Sequence, residues 1–87
     1  MNNEIDNLKK RLIYRSQYRG TKEMDKLIGS FVKNNINKLD FKGLNELEIF
    51  LNLDDDTLYK FYNNQIVENE LVESTIGILF KNFIYKE

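Results

Sequence analysis

Apolar residues recur every three or four positions along most of the chain, which is the spacing that places them on one face of an α-helix. The first stretch with this spacing contains four such residues: Ile5, Leu8, Leu12 and Ile13. It predicts a helix over residues 4–18, with Asn3 as its N-cap. Gly20 ends this helix, because glycine tolerates the left-handed backbone that commonly follows a helix C-terminus.

A second helix is predicted directly after Gly20, with Thr21 as its N-cap. Its apolar stripe has the positions i, i+3, i+4, i+7 and i+8, occupied by Met24, Leu27, Ile28, Phe31 and Val32. Glu23 and Asp25 fall in the first turn, where the helix dipole favours negative charge. The polar run KNNINK, residues 33–38, ends the helix.

Two further helices are predicted in the middle of the chain, each with an aspartate at its start. Asp40 caps the third helix, whose buried stripe is Leu44, Leu47, Phe50 and Leu51. Asp54 or Asp55 caps a short fourth helix, whose inward residues are Leu58, Phe61 and Tyr62. The run NNQIVEN, residues 63–69, is predicted to be a loop.

The last helix is predicted over residues 70–85, with the apolar set Val72, Ile76, Leu79, Phe80 and Phe83. No segment alternates between apolar and polar residues as a strand does, and no repeat of fixed period occurs. The chain of 87 residues is therefore expected to form an all-α protein, a compact five-helix bundle of short helices. We expect a single domain over residues 1–87 and a monomer.

The chain has no cysteine and no histidine. A Ser–His or Cys–His catalytic pair therefore cannot form, and the commonest metal-binding side chain is absent. Three aspartates at 54–56 suggest calcium, but an EF-hand loop counted from Asp54 needs glycine where this chain has Tyr59. A helix cap is the favoured interpretation. We expect a protein that is not an enzyme and that holds no metal of its own.

Charge is distributed unevenly between the two parts of the chain. Residues 1–33 contain eight Lys/Arg against four Asp/Glu, whereas residues 34–87 contain five against ten. This asymmetry indicates a basic face at the N-terminal end. The N-terminus lacks the apolar core of a secretory signal, and no stretch approaches the ~20 apolar residues that span a bilayer. A cytoplasmic location without membrane insertion is expected.

One motif stands out in residues 11–31, RLIYRSQYRGTKEMDKLIGSF. It has the form R-G-x-x-E, read here as Arg19, Gly20 and Glu23, after a basic and aromatic helix end. In this context the segment resembles the SdhE family, the succinate dehydrogenase assembly factors or flavinators, which are also known from mitochondria. Residues 39–64, LDFKGLNELEIFLNLDDDTLYKFYNN, look like the third and fourth helices of that family.

The resemblance implies a small five-helix chaperone that binds the flavoprotein subunit of succinate dehydrogenase. Related factors promote covalent attachment of FAD to a histidine of that subunit, and fumarate reductase subunits are similar clients. The FAD and the histidine both belong to the partner, so this chain needs neither. No nucleic acid is implied as a partner.

Eight residues around the motif are expected to contact the partner: Arg19, Gly20, Glu23, Arg15, Tyr18, Asp25, Tyr14 and Arg11. Arg19 is expected to lie beside Glu23 and to offer planar donors to the partner, and Gly20 to let its backbone approach. Three alternatives remain open: a plain structural corner, a helical adaptor for an unrelated protein, and a nucleic-acid-binding domain. The last has little support, because the sequence pI is near 5.5.

Overall fold

The computed structural model describes residues 3–63 and 74–84 of the chain. Within these ranges the secondary structure is helical, and no strand occurs. The helices are α1 (Asn3–Gln17), α2 (Lys22–Asn35), α3 (Phe41–Leu51), α4 (Asp55–Tyr62) and α5 (Thr75–Asn82). A short 3₁₀ helix, Ile36–Lys38, follows α2. The prediction of an all-α bundle of five short helices is confirmed.

The turn between α1 and α2 forms as the sequence predicts. Gly20 has a φ of +122°, a backbone conformation that residues with a side chain rarely adopt. Thr21 is the N-cap of α2, and its side chain accepts a hydrogen bond of 3.2 Å from the Met24 backbone N–H. The N-terminal prediction is wrong in one detail, because Asn3 lies within α1 and not before it.

Short polar side chains also start the three later helices. Asp40 accepts from the Gly43 N–H at 2.8 Å, and Asp54 accepts from the Thr57 N–H at 2.9 Å. Asp54, not Asp55, is therefore the cap of α4. Hydrogen bonds from Thr57 hold the pKa of the Asp54 carboxyl below its ordinary value, because they stabilise the ionised form.

The predicted fifth helix is wrong at both ends. Ser74 has extended backbone angles (φ −74°, ψ 162°) and caps α5 by accepting from the Gly77 N–H at 3.0 Å. Phe83 is extended as well, with ψ 130°, so the helix ends before it. The predicted loop after residue 63 and the first residues of the predicted helix, including Val72, lie outside the described residues.

The core gathers apolar side chains from all five helices, and most were predicted from the stripes. Among residues 3–63 and 74–84, sixteen apolar residues are buried: Leu8, Leu12, Met24, Leu27, Ile28, Phe31, Val32, Ile36, Leu44, Leu47, Phe50, Leu51, Leu58, Phe61, Ile76 and Phe80. The Phe80 ring lies 5.0 Å from that of Phe31 and 4.9 Å from that of Phe50. These edge-on contacts join α5 to α2 and α3. The Cα radius of gyration is 12.3 Å, close to the ~12 Å expected for a compact chain of this length.

Candidate docking site at the corner between the first two helices

The candidate site is the α1–α2 corner, residues 14–25, which contains the R-G-x-x-E motif. Its arginine points into the molecule. The Arg19 guanidinium donates to the backbone oxygens of Leu51 and Leu53, each at 2.6 Å. Its Nε donates to Asp55 Oδ1 at 2.9 Å, an ion pair. We call these three contacts the Arg19 bridge; they connect the corner to the α3–α4 loop.

The structure differs here from the expectation that Arg19 presents its donors to a partner. Only 10 % of the Arg19 side chain is exposed, and its ion pair is with Asp55 and not with Glu23. The cause is geometric. The Leu51 carbonyl at the end of α3 has no partner within the helix, and the Leu53 carbonyl lies two residues beyond that end; a planar guanidinium can satisfy both together.

Two more of the predicted residues also bond within the chain. Asp25 accepts a hydrogen bond from the Arg19 backbone N–H, which ties the first turn of α2 to the residue before Gly20. Arg15 donates to the side-chain oxygen of Asn52, in the same α3–α4 loop that the Arg19 bridge reaches. Arg15, Arg19 and Asp25 therefore hold the corner in shape.

The outward side of the corner carries the remaining polar and aromatic groups. Glu23, in the first turn of α2, is exposed and forms no ion pair with any described residue. Gly20 is exposed, and a Cβ built on it would meet nothing within 4 Å. A carboxylate fixed at a helix N-terminus beside an open backbone is an arrangement that can bind a donor group from outside.

An aromatic pair lies at the end of α1. The rings of Tyr14 and Tyr18 stack with their centroids 4.3 Å apart, as expected for positions i and i+4. They are 63 % and 66 % exposed. Stacking on each other limits the freedom of both rings, so an incoming surface would meet a largely ordered aromatic patch.

A groove of about 410 Å³ adjoins Glu23. It is lined by residues of α2 and α4 and by the residue after α4: Lys22, Glu23, Lys26, Leu27, Tyr59, Tyr62 and Asn63. Arg11, by contrast, lines a different groove with Phe41 and Glu48, between α1 and α3. The structure thus brings seven of the eight predicted residues to the corner and places Arg11 apart.

Sequence reasoning missed Asp55 and the two carbonyl groups of the Arg19 bridge. The sequence analysis considered Asp55 as a helix cap and as one of three aspartates that suggest calcium, and no local pattern connects it to a residue 36 positions away. Among the described residues, no group of acidic side chains is arranged to hold a metal ion, and no helix is long and apolar enough to cross a membrane.

Comparison with known proteins connects this geometry to a family. A protein-family model described as "flavinator of succinate dehydrogenase" matches residues 10–83, which include the whole corner and the Arg19 bridge. No solved structure matches the chain significantly.

Two curated relatives are similar over most of the chain. Succinate dehydrogenase assembly factor 2, mitochondrial, from Arabidopsis thaliana is 39 % identical over 64 residues, which are 74 % of this chain and 34 % of that protein. The protein of the same name from Dictyostelium discoideum is 38 % identical over 58 residues, 67 % of this chain and 41 % of that protein. The match thus spans well under half the length of either relative. Because both are described as mitochondrial, the cytoplasmic location stays a prediction. From the corner motif, the helical fold and the match over residues 10–83, the chain belongs to the family of succinate dehydrogenase flavinators.

Proposed function

We propose that the chain is an assembly factor that binds the flavoprotein subunit of succinate dehydrogenase and promotes covalent attachment of FAD to it. The observation that carries this proposal is the outward side of the α1–α2 corner. The R-G-x-x-E motif lies there, and the exposed Glu23, the open backbone at Gly20 and the stacked tyrosines have no partner among the rest of the described chain.

The bond-forming groups all belong to the partner in this proposal. A histidine of the subunit and the FAD bound there would supply the reacting atoms, and the flavin ring would take up the two hydrogens and two electrons released as the nitrogen–carbon bond forms. The assembly factor holds no cofactor and does no chemistry; it binds.

Binding accelerates this reaction only if it favours the arrangement in which histidine and flavin methyl meet. The corner is suited to that task because Tyr14 and Tyr18 offer rigid aromatic area, the residue type that dominates many interfaces. Glu23 adds a fixed negative charge, which orders a donor group of the partner. Arg11, in the separate groove between α1 and α3, adds positive charge at a distance from the corner, which steers association.

The proposal is tested by Glu23→Gln, which removes the charge and keeps the shape. We expect covalent flavin on the co-expressed flavoprotein subunit, read by in-gel flavin fluorescence, to fall at least tenfold, as for a lost charged hydrogen bond of about 1.5–3 kcal/mol. Helical content by circular dichroism is expected to stay unchanged.

The matched control is Asp6→Asn. Asp6 is also an exposed acid in the first turn of its helix, so this variant loses the same charge at the same kind of position. We expect normal flavin attachment with it. Full flavin attachment by Glu23→Gln, or an equal loss with both variants, would contradict the proposed function of the corner.

A further inference from the structure

Arg19 anchors the corner from two directions. Its backbone N–H donates to Asp25 at the start of α2, and its side chain makes the three contacts of the Arg19 bridge. Gly20 follows immediately, with the positive φ that lets the chain reverse. Glycine restricts the backbone less than any other residue, so these contacts, together with the packing of α1 on α2, help to fix the direction in which α2 leaves α1.

Asp55 is the charged half of the Arg19 bridge. It lies in the first turn of α4, and 31 % of its side chain is exposed. The hydrogen bond between Arg19 and Asp55 joins two charged groups, and the arginine side chain is largely shielded from solvent. Hydrogen bonds of this kind are among the stronger ones in proteins. The neighbouring pair Asp56–Lys60 differs, because its side chains are 72 % and 50 % exposed, and exposed pairs contribute little.

We propose that Asp55 is a positioning residue for partner binding, because through the Arg19 bridge it sets how the α1–α2 corner presents Tyr18, Gly20 and Glu23. The motif of the corner is thus completed by an acid on a different helix. This inference rests on the proposed function and deepens it: the flavoprotein subunit touches the corner, while Asp55 acts through Arg19.

The first test compares Asp55→Ala with Asp56→Ala as the matched control. The dissociation constant for the purified flavoprotein subunit is measured with the full chain, well below the unfolding temperature of each variant. We expect Asp55→Ala to weaken binding about tenfold, the value of one charged hydrogen bond. Asp56→Ala is expected to stay within twofold of the unaltered chain. Equal affinity of Asp55→Ala and the unaltered chain would overturn the proposal.

A double-mutant cycle separates positioning from direct contact. If Asp55 acts through Arg19, the variant Arg19→Ala/Asp55→Ala binds no more weakly than Arg19→Ala alone. If the two losses multiply, Asp55 has a role of its own and the bridge is not the cause.

Loss of folding is distinguished by repeating the measurement in trimethylamine N-oxide, which favours the folded state. A merely destabilised Asp55→Ala chain would recover full affinity there, which would overturn the positioning role. A mispositioned corner keeps its tenfold loss, which is the result we expect.

A final readout needs no partner. We expect Asp55→Ala, but not Asp56→Ala, to shift the backbone amide resonances of Gly20 and Glu23 in the free protein. Unshifted resonances would contradict the inference whatever the partner does. If the unaltered chain does not bind the subunit but these resonances still shift in Asp55→Ala, the proposed function is wrong, whereas the effect of Asp55 on the corner through the Arg19 bridge is confirmed.

Discussion

The two charged residues of the corner motif, Arg19 and Glu23, have opposite orientations. Arg19 is almost buried and bonds to the α3–α4 loop, whereas Glu23 is exposed and faces a groove. Gly20 lies between them and provides the positive φ of the turn and an exposed stretch of backbone. One short motif therefore combines a structural anchor, a turn and a surface charge, and substitutions in it are expected to act by different physical routes.

Gly20→Ala isolates the turn. The added methyl group would meet nothing within 4 Å, so any loss comes from the positive φ and not from a collision. We expect the free energy of unfolding to fall by about 1–2 kcal/mol, measured by urea denaturation with an unchanged m-value. An unchanged midpoint of urea denaturation would show that the backbone at residue 20 does not have a positive φ.

Each described α-helix after α1 begins at a short polar side chain that accepts a hydrogen bond from a backbone N–H, namely Thr21, Asp40, Asp54 and Ser74. Such caps act within three residues, so they determine helix starts without help from the rest of the fold. The same locality explains why the sequence identified Thr21 and Asp40 as caps and narrowed the cap of α4 to Asp54 or Asp55. Ser74 was missed because the apolar spacing continues in front of it, and that spacing alone does not locate a boundary.

Thr21→Ala is expected to remove one such cap from α2. The loss should be about 1 kcal/mol, because one N–H at the helix start loses its acceptor. For a domain of this size that lowers the melting temperature by roughly 4–8 °C, measurable by circular dichroism. Thr21→Ser keeps the hydroxyl and should melt within about 2 °C of the unaltered chain. A serine variant as unstable as the alanine variant would contradict the capping role.

The whole molecule depends on one aromatic cluster centred on Phe80. Its ring lies within 5.0 Å of the rings of Phe31, Phe50 and Tyr62, and 6.3 Å from that of Phe61. These residues come from four different helices, so a single side chain of α5 contacts α2, α3 and α4. A bundle of short helices needs such a centre, because helices of 8 to 15 residues are marginal in isolation.

Phe80→Ala is expected to cost about 3–5 kcal/mol, a large part of the ~5–15 kcal/mol that stabilises a small domain. We expect the thermal melt of this variant, followed from room temperature upward, to show no cooperative transition. Phe41→Ala is the control, because Phe41 is 61 % exposed and its removal should change stability by less than about 0.5 kcal/mol. A cooperative melt of Phe80→Ala close to that of the control would show that the aromatic cluster is not the centre of the core.

The sequence by itself determined the features that arise within a few neighbouring residues. The stripe of α2 is buried as predicted, Thr21 caps that helix, and Gly20 makes the turn before it. Helical spacing, side-chain capping and positive φ are local properties, since each depends on positions at most four or so residues apart. The same local reading placed most of the predicted site residues at one corner.

Only the tertiary structure decided which way those residues face. The carbonyl groups that accept hydrogen bonds from Arg19 are unpaired only because α3 ends there. Asp55 comes close to Arg19 only when α4 packs beside the corner. A contact over 36 positions leaves no periodic trace in a single sequence. Chain entropy disfavours such a closure until the core forms, so the packing of the helices, and not the motif, turns Arg19 inward and leaves Glu23 on the surface.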